Sequence, residues 1–240
     1  MTGLVRSEWA VARYGQVIPC NWSQTDSLMW LEQFSPLGFL VADARNMAVK
    51  QCLDYKFDWL FFIDHDVVLP PHTIVTWNER MLDGKIPMWA GLYFTKSVPS
   101  EPLVYRGRGT GYYIKWKLGD KVWVDGIPMG CTMIHSSILR VVWDDSEEYE
   151  AGGFRLRRAF ETPAKVFTDP ETQSWFTVSG TEDLNFCNKL IEKDYLAKAG
   201  WPEYQKKKYP FLIDTSVFCK HIDFDGIQYP SRGEEAYFKR

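Results

Sequence analysis

Cysteine pairs, a basic excess and long apolar runs are all missing from this 240-residue sequence. Its five cysteines, Cys20, Cys52, Cys131, Cys187 and Cys219, are scattered, odd in number and free of any C-x-x-C spacing. That pattern argues against a disulfide framework or a thiolate zinc site, and a reducing compartment is expected. Lys and Arg number 28 against 31 Asp and Glu, for a net charge of −3. Such a balance lacks the electrostatic footprint of a nucleic-acid-binding protein. The one basic run, Lys206-Lys207-Lys208, is short, lies beside Tyr209 and Pro210, and reads as a solvated loop. The longest apolar run, residues 59–63, is too short to span a bilayer, and MTGLVRSEWAVARYG at the start has no apolar core of a secretory signal. A soluble, cytoplasmic protein without a transmembrane segment is expected.

Aromatic residues, by contrast, are plentiful. They make up 16% of the chain, with 11 Trp. Most are expected in a core. A minority can line a carbohydrate site, because flat rings with a polar edge pack well on sugar C–H faces.

The first half of the chain alternates strand and helix periodicities. A short strand over residues 16–19 precedes a helix from Thr25 or Asp26, and GFLVA (38–42) predicts another strand. In DARNMAVKQCLDY, Ala44, Met47, Ala48, Cys52 and Tyr55 recur at helical spacing, with Asp43 as N-cap. WLFFI (59–63) is a continuous apolar run, as in a parallel strand covered on both faces. Ile74, Trp77 and Met81 then mark a helix between Pro70-Pro71 and Gly84, and PMWAGLY (87–93) predicts the next strand. This is the grammar of a doubly wound α/β fold, with a mixed, mainly parallel sheet flanked by helices.

The second half reads as β-rich. Residues 103–105, 112–117 and 121–125 predict short strands. No helix pattern follows RGRGTG (106–111), so it is expected to be a mobile hairpin loop rather than a phosphate cradle. GCTMIH (130–135) predicts a strand and residues 137–143 a short helix. Residues 144–174 are polar and irregular, as expected of a substrate-covering loop. No repeat, low-complexity tract or linker divides the chain.

Three motifs carry chemistry. LFFIDHDVVLPP (60–71) places Asp64 and Asp66 directly after the apolar strand, where ligands gather in open α/β sheets. Carboxylates beside a core need solvent, hydrogen bonds or a cation, and residues i and i+2 of an extended segment face the same way. Magnesium or manganese would suit such oxygens. In SGTEDLNFCNKLIEKDY (179–195), Leu184, Cys187, Leu190 and Ile191 mark one helix face and Thr181 an N-cap. Glu182 and Asp183 occupy its first turn, a position the helix dipole favours for any acid and one from which a general base can project. In FCKHIDFDG (218–226), His221 follows the apolar strand FLIDTSVF (211–218).

In type and order, these motifs resemble those of GT-A-fold glycosyltransferases of the broad family-2-like group. Ala44-Arg45-Asn46 before the D-x-D strand, Pro70 after it, AGLYF (90–94) and GIPMGCTMIH (126–135) agree. The resemblance covers residues 15–225 and implies one Rossmann-like GT-A domain over 1–240. Within it, about 15–100 would form the donor half, about 101–225 the β-rich acceptor half, and 226–240 a C-terminal tail.

The implied activity is that of a metal-dependent, hexosyltransferase-type enzyme, taking a UDP- or GDP-sugar as donor and a carbohydrate or other hydroxyl-bearing acceptor. The resemblance implies that Asp64, Asp66 and His221 hold Mn2+ or Mg2+, with Asp66 as the more direct ligand. A histidine nitrogen favours manganese. Arg45, Asn46 and Asp64 would meet the nucleotide and its phosphates, and Gly126–Gly130 would lie on the acceptor side. Asp183 would be the general base of an inverting transfer, with Glu182 as the fallback. VIPCNWSQTD lacks the Thr and Asn run usual after the first strand, so no base-binding residue is assigned.

Two other classes stay open. A sugar-nucleotide pyrophosphorylase-type nucleotidyltransferase shares the α/β sheet and metal, but normally opens with a Gly- and Lys/Arg-rich loop that residues 15–25 lack. A non-catalytic carbohydrate-binding protein is compatible with the Trp content, and would ignore UDP and GDP.

Overall fold

The structure is a computed structural model that describes residues 5–17, 34–107, 111–168, 171 and 175–234. The expected helix start at Thr25 or Asp26 and residues 18–19 of the expected strand at 16–19 lie outside these residues, and 16–17 form no strand. In chain order, the first half contains α1 (Ser7–Tyr14), α2 (Val41–Asp54), β1 (Trp59–Ile63), β2 (Val67–Val68), α3 (Thr73–Asp83) and β3 (Met88–Leu92). Next come β4 (Lys121–Val124), β5 (Cys131–His135), α4 (Ser136–Asp144), β6 (Glu148–Ala151), β7 (Phe154–Arg157), β8 (Ala164–Thr168) and β9 (Trp175–Ser179). The described chain ends with α5 (Glu182–Glu192), α6 (Tyr195–Lys198), α7 (Pro202–Gln205), β10 (Phe211–Phe218), β11 (Lys220–Ile222) and β12 (Gln228–Tyr229). None of these helices is long and apolar enough to cross a membrane.

The main sheet has the order β1-β5-β3-β10-β4. Among the described residues it is mainly antiparallel, which corrects the mainly parallel expectation: only β3 and β10 pair in parallel, whereas β1–β5, β5–β3 and β10–β4 are antiparallel. The strand–helix–strand reading is right in direction, because β1 and β3 run the same way. What it misses is β5, which inserts between them and runs opposite. An apolar run such as WLFFI records burial, not the direction of the neighbouring strand. Strands from both sides of residue 100 mix in this one sheet.

Alternation along each central strand divides the core in two. Met88, Ala90, Leu92, Ile134, Phe211 and Ile213 join one apolar cluster with residues of α2, α4, α5 and α6. Trp89, Met133, Cys131 and Leu212 face the other, with Trp77 of α3. Each large side chain fully buried in this way contributes roughly 1.5–3 kcal/mol. Cys52, Cys131, Cys187 and Cys219 are free and buried.

Two segments differ from expectation for local reasons. GFLVA is no strand: Gly38 takes a left-handed φ of 82°, Leu40 caps α2, and Asp43 lies inside its first turn. The described residues of 144–174 hold the β6–β7 hairpin and the strand β8 rather than an irregular loop. Glu148 and Glu150 pair with Arg157 and Arg155 across β6–β7, and Tyr149 with Leu156. Gly152 and Gly153 supply the two positive φ angles of the turn, 55° and 80°. The period-2 pattern EYEA/FRLR is visible in the sequence. Around RGRGTG, Tyr105 and Tyr112 form a bridge, but residues 103–105 and 112–117 make no continuous strands.

Candidate functional site

Because β1, β3 and β10 run the same way, their carboxyl ends share one edge of the sheet, where α/β proteins gather ligands. Asp64 and Asp66 follow β1, Lys96 follows β3 and His221 follows β10. The antiparallel β5 brings its own start to that edge. There the Asp64 N–H donates to the Gly130 carbonyl at 2.9 Å, and the Trp9 indole N–H donates to the Asp64 carbonyl at 2.7 Å. Glycine is needed at residue 130, since a Cβ would lie 2.5 Å from the Tyr93 hydroxyl oxygen.

The D-x-D segment is a turn rather than an extended strand, closed by the Val67 N–H donating to the Asp64 carbonyl at 3.1 Å. The two carboxylates therefore meet different partners. Arg45 donates through Nη2 to Asp64 Oδ2 (3.1 Å) and through Nε to Glu182 Oε1 (3.0 Å), and its guanidinium stands 5.2 Å from the Phe62 ring centroid. Arg45 is only 5% exposed. Burial disfavours its charge, but Asp64, Glu182 and Asp183 more than compensate and raise its pKa above the ordinary arginine value. Instead of reaching outward to phosphate, Arg45 clamps the D-x-D turn to the start of α5.

Asn46 is corrected more fully. Its Oδ1 accepts from the Phe160 N–H at 2.7 Å, and its Nδ2 donates to the Phe160 carbonyl and the Tyr149 hydroxyl, each at 2.9 Å. At 1% exposure these polar atoms are spent inside the fold, so Asn46 is not placed to bind a nucleotide.

Asp66 has a separate environment. Lys96 Nζ lies 2.6 Å from its Oδ2 and His221 Nε2 lies 3.3 Å from the same oxygen. Pairing of β2 with β11 sets His221 opposite Val67, and the Ile222 N–H donates to the Asp66 carbonyl at 2.8 Å. Burial pushes the Asp66 carboxyl up, but His221 and Lys96 outweigh it and hold the group well below the usual carboxylate range. His221 Nδ1 lies 2.7 Å from the Phe94 carbonyl, which can only accept. In the neutral ring, Nε2 therefore turns a lone pair toward Asp66, and that contact needs a proton or a metal ion.

Among the described residues, no group of three His, Cys, Asp or Glu is arranged as a metal site. The expected Asp64–Asp66–His221 shell reduces to Asp66 and His221, because Asp64 faces Arg45. These two donors still fit an ion of the magnesium or manganese type, which takes one or two protein oxygens and completes its shell with water and phosphate.

Glu182 and Asp183 divide in the same way. Glu182 belongs to Arg45, whereas Asp183 Oδ1 accepts only from the adjacent Leu184 N–H (2.9 Å) and has no ion pair among the described residues. A cleft of about 480 Å³, lined by Tyr105, Tyr112, Asp125, Gly126, Leu184 and Asn188, opens beside the first turns of α5. Burial first, then Tyr112 and Asp183, raise the Tyr105 phenol pKa. Asp125 fixes the cleft wall by accepting from the Gly107 N–H at 2.9 Å.

The fold is similar to one already solved. The crystal structure of A197 from STIV matches with a TM-score of 0.52 over 95% of this chain and 86% of that one. At 17% identity the likeness is one of fold alone. No protein-family model and no curated protein matches the sequence.

Sequence reasoning missed Lys96, Tyr93 and the role of Arg45 as a clamp. Lys96 had a usable signal, since it follows a strand that ends at the same edge as the D-x-D. The clamp gives a direct expectation. Arg45→Met leaves Asp64 and Glu182 unpaired, and should cost about 3 kcal/mol, the lower end for breaking a buried pair because Asp64 is partly exposed. Urea unfolding measures this. An unchanged midpoint would show that the clamp contributes nothing.

Proposed function

We propose that the protein is a metal-dependent glycosyltransferase that moves a sugar from a nucleotide diphosphate to a hydroxyl acceptor with inversion. The observation that carries this reading is the division of labour at one sheet edge. Asp66, His221 and Lys96 form one charged group, while Asp183, without an ion pair among the described residues, adjoins Leu184 of the tyrosine-lined cleft.

Asp66 and His221 would hold the divalent ion, which supplies charge neutralisation for the departing diphosphate. Tyr105 and Tyr112, with ring centroids 5.6 Å apart, offer aromatic faces to an acceptor sugar. Asp183 accepts the proton of the acceptor hydroxyl as its oxygen bonds to the anomeric carbon. The bond from that carbon to the diphosphate breaks, and the diphosphate leaves with the electron pair. Arg45 positions both halves by linking Asp64 to Glu182.

Thermal unfolding with UDP, GDP and their sugars, with MnCl2 or with EDTA, tests the reading. At saturation, roughly 100 times Kd, the matching nucleotide with Mn2+ should raise Tm by roughly 5–10 °C, and EDTA should remove the shift. Stabilisation by glycans alone would favour a carbohydrate-binding protein. The absence of any nucleotide effect would sink the transferase.

A further inference from the structure

We propose that Lys96 is a built-in cation on Asp66, which a divalent ion must displace and which then moves to the donor phosphates. This rests on the nucleotide-sugar reading above. Lys96 Nζ and His221 Nε2 both lie against one oxygen, Asp66 Oδ2, at 2.6 and 3.3 Å. An ion bonded to that oxygen and to His221 would lie beside the ammonium, and two cations repel at such separations. The ammonium must therefore leave when the ion enters.

Of the two cations paired with the D-x-D carboxylates, Lys96 is the one able to move. Arg45 is buried and spans two acids, whereas the Lys96 side chain is 32% exposed and paired with Asp66. Its backbone, by contrast, sits in a tied loop. The Thr95 N–H donates to the Glu101 carbonyl at 2.9 Å, the Glu101 N–H to Thr95 Oγ1 at 3.0 Å, and the Ser100 hydroxyl to the Ser97 carbonyl at 2.9 Å. A lysine on such a loop keeps its anchor while its four-carbon stem swings the charge between anions. With an ion on Asp66, a phosphate bound to that ion would offer the released ammonium a nearby anion. Lys96 is thus a positioning residue with opposite effects on the two ligands.

Calorimetric titration of Lys96→Met tests this, first with Mn2+ alone and then with UDP and GDP at saturating Mn2+. The variant should bind Mn2+ roughly tenfold more tightly and nucleotide roughly tenfold more weakly, as expected for removing one unit charge from a partly solvated site. Lys96→Arg retains the charge and should keep the weaker Mn2+ affinity. Equal or weaker Mn2+ binding by Lys96→Met, or unchanged nucleotide binding, overturns the assignment of Lys96 alone, provided the wild type binds both. A wild type that binds neither Mn2+ nor nucleotide overturns the glycosyltransferase reading itself.

Discussion

Asp66→Ala should abolish Mn2+-dependent nucleotide binding, with an affinity loss of roughly a hundredfold or more. Removing the carboxylate leaves His221 as the remaining protein donor at the proposed ion site, and charge-assisted contacts of this kind are among the strongest a protein makes. The fold should survive. The Asp66 carbonyl still accepts from the Ile222 N–H at 2.8 Å, and the Lys96 ammonium can return to solvent. Calorimetry with Mn2+ and nucleotide reads the binding loss, and a thermal melt checks the fold. Unchanged Mn2+-dependent affinity in a folded variant would remove Asp66 from the site.

Asp183→Asn should bind nucleotide and Mn2+ normally, yet transfer sugar at least roughly a hundredfold more slowly, the lower end of what general-base catalysis supplies. The substitution is nearly isosteric, and the amide oxygen can still accept from the Leu184 N–H, a contact of 2.9 Å in the wild type. Stability should therefore change little. Glu182→Gln is the contrasting variant, because Glu182 is held 3.0 Å from Arg45 Nε. Its effect should fall on stability more than on turnover. Single-turnover kinetics beside urea unfolding separates the two. Near-native turnover in Asp183→Asn with loss in Glu182→Gln would mean that the other carboxylate is the base. Full activity in both would rule out an inverting base at this position.

The different partners of these adjacent acids were not legible in the residues themselves. Both occupy a first helical turn, which the helix dipole favours whatever their role. Only Arg45, one turn into a helix far away in the chain, distinguishes them. The same guanidinium also separates Asp64 from Asp66, which the sequence places together as carboxylates of one site. Asn46 shows the opposite error. A polar residue beside a motif looked functional, but its amide is consumed by Phe160 and Tyr149.

By itself the sequence determined the elements marked by a local apolar run or a helical period. WLFFI, CTMIH and FLIDTSVF became strands, and Trp77 and Leu190 lie buried on helices near where their spacing predicted. A continuous apolar run or a 3.6-residue apolar spacing is a property of a few consecutive residues, so it survives without knowledge of neighbours. Tertiary structure alone decided which strands adjoin. It inserted β5 between β1 and β3, paired β2 with β11 to bring His221 to Asp66, and set Lys96 on the same oxygen. Those choices depend on how complete faces pack across the chain, and on where buried charges find partners, neither of which leaves a periodic trace in the residues themselves.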